Sequence, residues 1–131
     1  MCGIFGVFSN KPVIDNILKG LSKLEYRGYD SSGISILDNN NLIKTIRAKG
    51  KLENLYQKIK DKEFEGSIGI GHTRWATHGI PSTNNAHPHT SESVSIVHNG
   101  IIENYSNLKK MLQQKGFLFQ SQTDSEVIAH L

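Results

Sequence analysis

The sequence lacks the features that define several common protein classes. Cys2 is the only cysteine in 131 residues, so no internal disulfide can form and a reducing compartment fits. No apolar run approaches the roughly 20 residues that a membrane-spanning helix needs. No cleavable apolar core follows the N-terminus, so no signal peptide is visible. We therefore expect a cytoplasmic protein that has no membrane partner.

Charge of one sign is also scarce. The formal net charge is only +3, and the lysines are scattered and interrupted by acidic residues. Aromatic residues do not alternate with them, as stacking residues do in many nucleic-acid-binding surfaces, so we expect no nucleic-acid partner. The phosphate-binding pattern Gly-x-x-x-x-Gly-Lys and the dinucleotide fingerprint are both missing, and we expect no cofactor.

Histidine is present six times, which raises the hypothesis of a metal site. No two of these histidines have the His-Glu-x-x-His spacing, and Cys2 has no second cysteine to pair with. We expect no metal, and keep a metal-binding module as an alternative. The histidines are His72, His78, His87, His89, His98 and His130.

What the sequence does contain is a cysteine directly after the initiator methionine. Removal of Met1 would leave Cys2 with a thiol and a free α-amino group, whose reference pKa is about 7.7–8.0. One residue would then supply both a nucleophile and a general base. The alternative is that Cys2 is a small, half-buried apolar residue at the start of a strand. If Met1 is retained, the base is an amide and this chemistry stops.

Hydrophobic periodicity predicts a mixed α and β chain with a long polar loop at 76–93. Helices are predicted at 13–24, 52–59 and 104–115, closed in the first and last cases by Gly28 and Gly116. Strands are predicted at 4–9, 32–37, 42–48, 67–75, 94–98 and 117–120. A capping-box pattern at 123–126 predicts a further helix that reaches 131. Because this helix stops after about two turns, we expect the chain to be a fragment of a longer protein.

Three further segments hold residues suited to binding or catalysis. Tyr26–Gly33 places an arginine, an aspartate and two serines between a helix and a strand, which alone is weak evidence. Arg74, at the end of a buried strand, suits a carboxylate because its planar fork donates two parallel hydrogen bonds. A surface ion pair for Arg74 and a core position for Trp75 are the alternatives. Asn99-Gly100 is typical of a hairpin turn, but its two neutral donors also suit an oxyanion hole.

Taken together and in order, five segments resemble the class II glutamine amidotransferases, whose glutaminase domains are N-terminal nucleophile hydrolases. The segments are Cys2–Gly6, Tyr26–Gly33, Gly71–Gly79, His98–Gly100 and Thr123–Glu126. Within that family, the two arginine-containing segments are most similar to the members that transfer ammonia to fructose 6-phosphate. Members with phosphoribosyl or asparagine-synthetase chemistry, and a truncated binding module without catalysis, remain alternatives.

The resemblance implies an α+β fold with two stacked antiparallel sheets between helical layers. Residues 1–131 would be the N-terminal part of a glutaminase domain, without the sugar-phosphate isomerase domains that make the full-length protein a homo-oligomeric aminotransferase. It also implies L-glutamine as substrate and a set of roles. In this set Cys2 is the nucleophile, Asn99 and Gly100 hold the oxyanion, and Arg74 binds the α-carboxylate with Thr77 and His78. Asp124 binds the α-ammonium, and Trp75 lies against the pocket and shields released ammonia.

Overall fold

The computed structural model describes residues 1–77 and 79–131. It contains six strands, four helices and a short 3-10 turn at Glu25–Arg27 within these ranges. The strands are β1 Gly3–Phe8, β2 Ser31–Leu37, β3 Ile43–Lys49, β4 Ile68–Arg74, β5 His89–Ser91 and β6 Val94–Ile96. The helices are α1 Ile14–Leu24, α2 Leu52–Lys60, α3 Tyr105–Gln114 and α4 Glu126–His130. None of these helices is long and apolar enough to cross a membrane.

The strands form two antiparallel sheets, as predicted. Four of them pair in the order β1-β4-β2-β3, and β5 pairs with β6 in a separate ribbon. Helices α1 and α2 pack on the larger sheet, and α4 packs on the ribbon with α3 beside it. Hydroxyl groups of the two sheets meet, with Ser95 Oγ 2.7 Å from Ser35 Oγ. The fold is therefore α+β, with two sheets between helical layers.

The apolar core lies between the larger sheet and its two helices. Side chains alternate between the faces of a strand, so Ile34 and Ile36 of β2 share one face. Both are buried there together with Ile17 and Leu21 of α1. Gly69 and Gly71 of β4 allow this close approach, because a Cβ at either position would lie 2.6 Å from the Ile17 side chain. The predicted close-approach role of these glycines is confirmed.

Three local predictions are wrong. Residues 117–120 are not a strand, because Phe117 instead donates its N–H to Leu112 and closes α3, with Gly116 at a φ of +93°. The 76–93 segment is not all loop, because it includes β5. The capping box does not form, although the helix does, since Glu126 accepts hydrogen bonds from Gln120 and Ser121 rather than from Thr123.

Candidate active site

A cavity of about 390 Å³ opens where the ends of β1 and β4 meet the segments after β6 and before α4. Residues from five separate parts of the sequence line it, and seven of the eight predicted site residues are among them. These seven are Cys2, Arg74, Trp75, Thr77, Asn99, Gly100 and Asp124. The eighth, His78, lies outside the described residues. The long sequence separations mean that the fold, rather than any local motif, assembles this group.

Strand register explains how Cys2 reaches the cavity. The antiparallel pairing places Gly3 opposite Thr73, so the residue before β1 lies beside the last residues of β4. The Sγ atom of Cys2 is 3.3 Å from the backbone nitrogen of Trp75, which donates to it, and 3.6 Å from the Trp75 carbonyl oxygen. The sulfur is thus held at the cavity wall by the turn that follows β4.

The backbone of Cys2 is fixed from two sides. Its carbonyl oxygen accepts a hydrogen bond from Nε of Arg27 at 3.1 Å and another from Nδ2 of Asn99 at 3.3 Å. Arg27 belongs to the segment before β2, and Asn99 to the segment after β6. Two separate parts of the chain therefore orient Cys2.

Arg74 and Asp124 place opposite charges at the cavity. Both residues are only 3% exposed. The Arg74 guanidinium donates to the carbonyl oxygens of Gly79 and Ile80, at 3.1 and 3.3 Å, which ties these two residues to the end of β4. Burial lowers the pKa of Arg74, whereas the charges of Cys2, Asp30 and Asp124 raise it in part. An arginine stays protonated at neutral pH, so the cavity wall carries a fixed cation.

The Asp124 carboxylate is held in place by its own neighbours. One oxygen accepts the N–H of Ile102 at 2.6 Å, and the other lies 3.4 Å from the Ser125 hydroxyl. Ser125 Oγ is also 3.0 Å from Nδ1 of His98. A carboxylate can accept several hydrogen bonds, so these contacts leave it further accepting capacity for a cation in the cavity.

Asn99-Gly100 is not the turn of a hairpin. It follows β6, and no strand follows it before α3 begins at Tyr105. Both residues are exposed and line the cavity, and Asn99 directs its amide toward Cys2. A Cβ at position 100 would lie 2.7 Å from the His98 ring, so glycine allows that ring to pack against this backbone. The hairpin interpretation is therefore wrong, and the Asn99 amide and the Gly100 backbone both lie at the cavity that contains Cys2.

Sequence reasoning gave the Tyr26–Gly33 segment no specific task, and the structure supplies one. Gly28 lies against β4 so closely that a Cβ there would be 2.6 Å from the Arg74 carbonyl carbon. The Asp30 N–H donates to the Arg74 carbonyl oxygen at 3.1 Å, and the Asp30 carboxylate accepts the N–H of Ala76. The combination of glycine, aspartate and arginine before a strand was the available signal. This combination predicted a turn, but it did not predict that the turn would bind the end of β4.

A layer of histidines lies behind the cavity. The rings of His72 and His87 stack with centroids 4.2 Å apart, and His89 lies 4.5 Å from His87. Burial lowers the pKa of His72 to about 3 and of His89 to about 4, and also lowers that of His87. Nε2 of His72 lies 3.2 Å from the His98 carbonyl oxygen, which can only accept, so Nε2 carries the proton.

These histidines are neutral. Their rings pack on one another, and their nitrogens form hydrogen bonds with backbone and hydroxyl groups. His87 Nδ1 accepts the His98 N–H at 3.4 Å, and His89 Nε2 lies 2.8 Å from the Thr123 hydroxyl. Across residues 1–77 and 79–131, no three side chains of the metal-binding types form a group that would hold an ion. The layer instead connects β4 and β5 to the segment that carries Asp124.

Comparison with known proteins adds the family. Residues 56–131, more than half of the chain, match the family model described as a glutamine amidotransferase domain. The chain belongs to the glutamine amidotransferase family. Similar curated proteins are the glutamine–fructose-6-phosphate aminotransferases of Bartonella quintana and Francisella tularensis, each 54% identical, and of Vibrio vulnificus, 51% identical. Each similarity covers all of this chain but only 21% or 22% of the relative.

Solved amidotransferase structures share the fold. Glutamine phosphoribosylpyrophosphate amidotransferase from B. subtilis, solved with ADP and GMP, superposes with a TM-score of 0.82 at 28% sequence identity. A structure described as the allosteric regulatory enzyme of purine biosynthesis gives 0.82 at 29% identity. Both comparisons cover all of this chain and 29% of the solved chain. The amidotransferase family thus provides the N-terminal nucleophile hydrolase fold expected from the sequence.

Proposed function

We propose that this chain is the glutaminase part of a glutamine–fructose-6-phosphate aminotransferase. The observation that carries the proposal is a single cavity that combines the sulfur of Cys2 with a buried arginine, a buried aspartate and two neutral donors. The free amino acid glutamine has a matching set of groups. It carries a carboxylate and an ammonium at one end and an uncharged amide at the other.

Substrate binding follows from this match. Arg74 binds the α-carboxylate and Asp124 the α-ammonium, because buried opposite charges attract more strongly than exposed ones. Thr77 and His78 assist at the carboxylate. Trp75, which lines the cavity and is 46% exposed, shields the released ammonia. The amide then lies toward Cys2 and Asn99.

The chemistry proceeds through a thioester. The Cys2 sulfur attacks the amide carbon and forms a C–S bond, and the thiol proton passes by way of the α-amino group to the leaving nitrogen. The C–N bond breaks and ammonia leaves. Water then cleaves the thioester, which releases glutamate and restores the thiol. Asn99 Nδ2 and the Gly100 N–H stabilise the oxyanion that forms in each step.

The general base requires removal of Met1. In the structure the Cys2 nitrogen is part of the Met1–Cys2 peptide, and an amide nitrogen does not accept protons at neutral pH. Met1 is 74% exposed, so a processing enzyme can reach it, and it lines the same cavity. Its removal creates an amine beside the sulfur. Removal also ends the 3.8 Å contact between Arg27 Nη2 and Met1 Sδ, whereas the contact between Arg27 Nε and the Cys2 carbonyl oxygen involves no Met1 atom.

The acceptor lies in the rest of the protein. The chain spans about a fifth of the length of the curated relatives it matches. We propose that the longer protein is a cytoplasmic homo-oligomer in which a linked sugar-phosphate isomerase domain receives the ammonia. It would convert fructose 6-phosphate to glucosamine 6-phosphate. The names of the similar relatives support this acceptor.

A phosphoribosyl acceptor is the second candidate, supported by the TM-score of 0.82 with the phosphoribosylpyrophosphate amidotransferase. Sequence identity favours the sugar acceptor, with 54% against 28%. Glutamine-dependent product formation from fructose 6-phosphate, compared with that from phosphoribosyl pyrophosphate, separates the two in the natural-length protein.

The decisive experiment for the glutaminase is Cys2→Ala in the natural-length protein. Without the sulfur no thioester forms, so we expect glutamate release from glutamine to fall to background. Mass spectrometry of the wild-type N-terminus should show that Met1 is absent. Calorimetry should show that the variant still binds glutamine, and its sugar isomerisation should continue. Glutamine hydrolysis by Cys2→Ala at the wild-type rate would refute the proposed nucleophile.

A further inference from the structure

We propose that Asp30 is a positioning residue that holds the turn after β4 so that the Trp75 N–H stabilises the Cys2 thiolate. This inference rests on the proposed glutaminase function and adds a residue to which the family roles above give no task. It concerns how the sulfur is kept reactive rather than how glutamine is bound.

The first step is the grip of Asp30 on both sides of Trp75. Its N–H donates to the carbonyl oxygen of Arg74 at 3.1 Å, and its carboxylate accepts the N–H of Ala76. These two contacts flank the Trp75 residue. Gly28 lies against the same backbone, with a hypothetical Cβ 2.7 Å from the Trp75 nitrogen. The turn is thus fixed in both position and orientation.

The second step is the contact between that turn and the sulfur. The Trp75 N–H donates to Cys2 Sγ at 3.3 Å. As a thiol, Cys2 also donates toward the Trp75 carbonyl oxygen, at 3.6 Å. Loss of the thiol proton removes the second contact and strengthens the first, because a hydrogen bond to a charged acceptor is stronger than one to a neutral acceptor. The contact with the carbonyl oxygen favours the thiol, but an S–H group is a weak donor, so the N–H contact outweighs it and the turn as a whole favours the thiolate, the form that attacks.

The effect of the Asp30 charge on the sulfur can be distinguished from the effect of its hydrogen bond to the Ala76 N–H. The negative charge of Asp30, whose carboxylate binds the turn that contacts the sulfur, would repel a thiolate there. If the charge of Asp30 were what mattered, its removal would make the sulfur more reactive. If its grip on the Ala76 N–H matters, loss of the accepting oxygen makes the sulfur less reactive. The two explanations therefore predict opposite changes in the reactivity of the sulfur when Asp30 is replaced by alanine.

The experiment compares Asp30→Ala with Asp30→Asn in the natural-length protein. Asparagine keeps an accepting oxygen and loses the charge, whereas alanine loses both. The rate of Cys2 alkylation by iodoacetamide is followed by intact-protein mass spectrometry as a function of pH. Asp61→Ala is the matched control, because Asp61 is exposed at the end of α2 and does not line the cavity.

We expect Asp30→Ala to slow alkylation at neutral pH about tenfold, because a hydrogen bond to a charged group changes an equilibrium constant by at least that factor. The rate at high pH, where all thiols are ionised, should match the wild type. Asp30→Asn should alkylate at least as fast as the wild type, and Asp61→Ala should not differ from it. If Asp30→Ala fails to fold, Asp30→Leu takes its place, because leucine is similar in shape to aspartate and has neither the accepting oxygen nor the charge.

The proposal is overturned if Asp30→Ala alkylates as fast as the wild type or faster, or if Asp30→Asn is slowed. Alkylation needs no glutamine, so these outcomes do not depend on the glutaminase assay. Loss of hydrolysis in Cys2→Ala with an unchanged profile in Asp30→Ala would reject the positioning role and keep the enzyme function. Hydrolysis that survives in Cys2→Ala would reject the function whatever Asp30 does.

Discussion

The two faces of the β1-β4-β2-β3 sheet use opposite chemistry. The face toward α1 and α2 is apolar, with Ile34, Ile36 and Ile46 buried against Leu21. The face toward the β5–β6 ribbon is polar. Its buried side chains include Ser35 of β2 and, from β4, His72 and Arg74. One strand such as β4 therefore serves a core on one side and the candidate active site on the other.

The difference between the two faces separates the residues that stabilise the fold from the residues that line the candidate active site. Apolar burial stabilises in proportion to area and needs no direction, and the helix-facing side holds few polar groups, among them the small hydroxyls of Ser32 and Thr73. The polar side instead pairs many of its buried donors and acceptors, although Ser31 Oγ and His72 Nδ1 have no hydrogen-bond partner among the described residues. It does so partly with a ring of hydroxyls, Ser35, Thr45, Thr90 and Ser95, that joins the sheets. A directional layer of this kind can fix Arg74 and Asp124 at chosen distances, which an apolar core cannot do.

The strongest test of this comparison is damage to the apolar face alone. Leu21→Ala removes a fully buried side chain and should lower the free energy of unfolding by about 2–5 kcal/mol. Glutamine hydrolysis per folded molecule should stay unchanged, because Leu21 does not line the cavity. Denaturant titration measures the free energy of unfolding. The rate of glutamine hydrolysis divided by the concentration of folded protein measures the activity. Leu42→Ala, at a site 59% exposed, is the control. A loss of specific activity in Leu21→Ala would show that the two faces are coupled.

The reverse test is damage to the site alone. Asn99→Ala removes one proposed oxyanion donor and should lower kcat for glutamine hydrolysis by about 10²–10³. Asn99 is exposed, so the free energy of unfolding should change by less than about 0.5 kcal/mol. Asn107→Ala, at an exposed position in α3, controls for loss of an amide. An equal loss of activity and of stability would argue that Asn99 holds structure rather than the oxyanion.

The same division explains what the sequence could predict. Apolar side chains repeat with the period of their element, so the helices and the strands of the larger sheet were predicted within a few residues. β5 was missed because His89-Thr90-Ser91 has no apolar residue, and it pairs through backbone and hydroxyl contacts alone. Residues 117–120 alternate like a strand, but Phe117 and Phe119 pack on the His130 ring beside α4 instead.

The candidate site was predicted from residue types and a family resemblance, since its members stand far apart in sequence. Register brings Cys2 to Arg74, and no local pattern encodes that pairing. The task of Asp30 could not be predicted, because it depends on a backbone turn of another strand. The histidines were counted as possible metal ligands, whereas burial makes His72 and His89 part of the polar layer.

The smallest expected effect tests that layer through pH. The folded-state pKa of His72 is about 3 and that of His89 about 4, below the unfolded value of about 6.5, so the unfolded chain binds more protons. The free energy of unfolding should therefore fall as pH drops from about 6.5 to 5, above the range where carboxylates titrate. His89→Gln should reduce this slope by up to about 1.4 kcal/mol per pH unit. Leu21→Ala should lower the whole curve and leave its slope unchanged. Parallel curves for wild type and His89→Gln would mean that His89 is not buried as a neutral group.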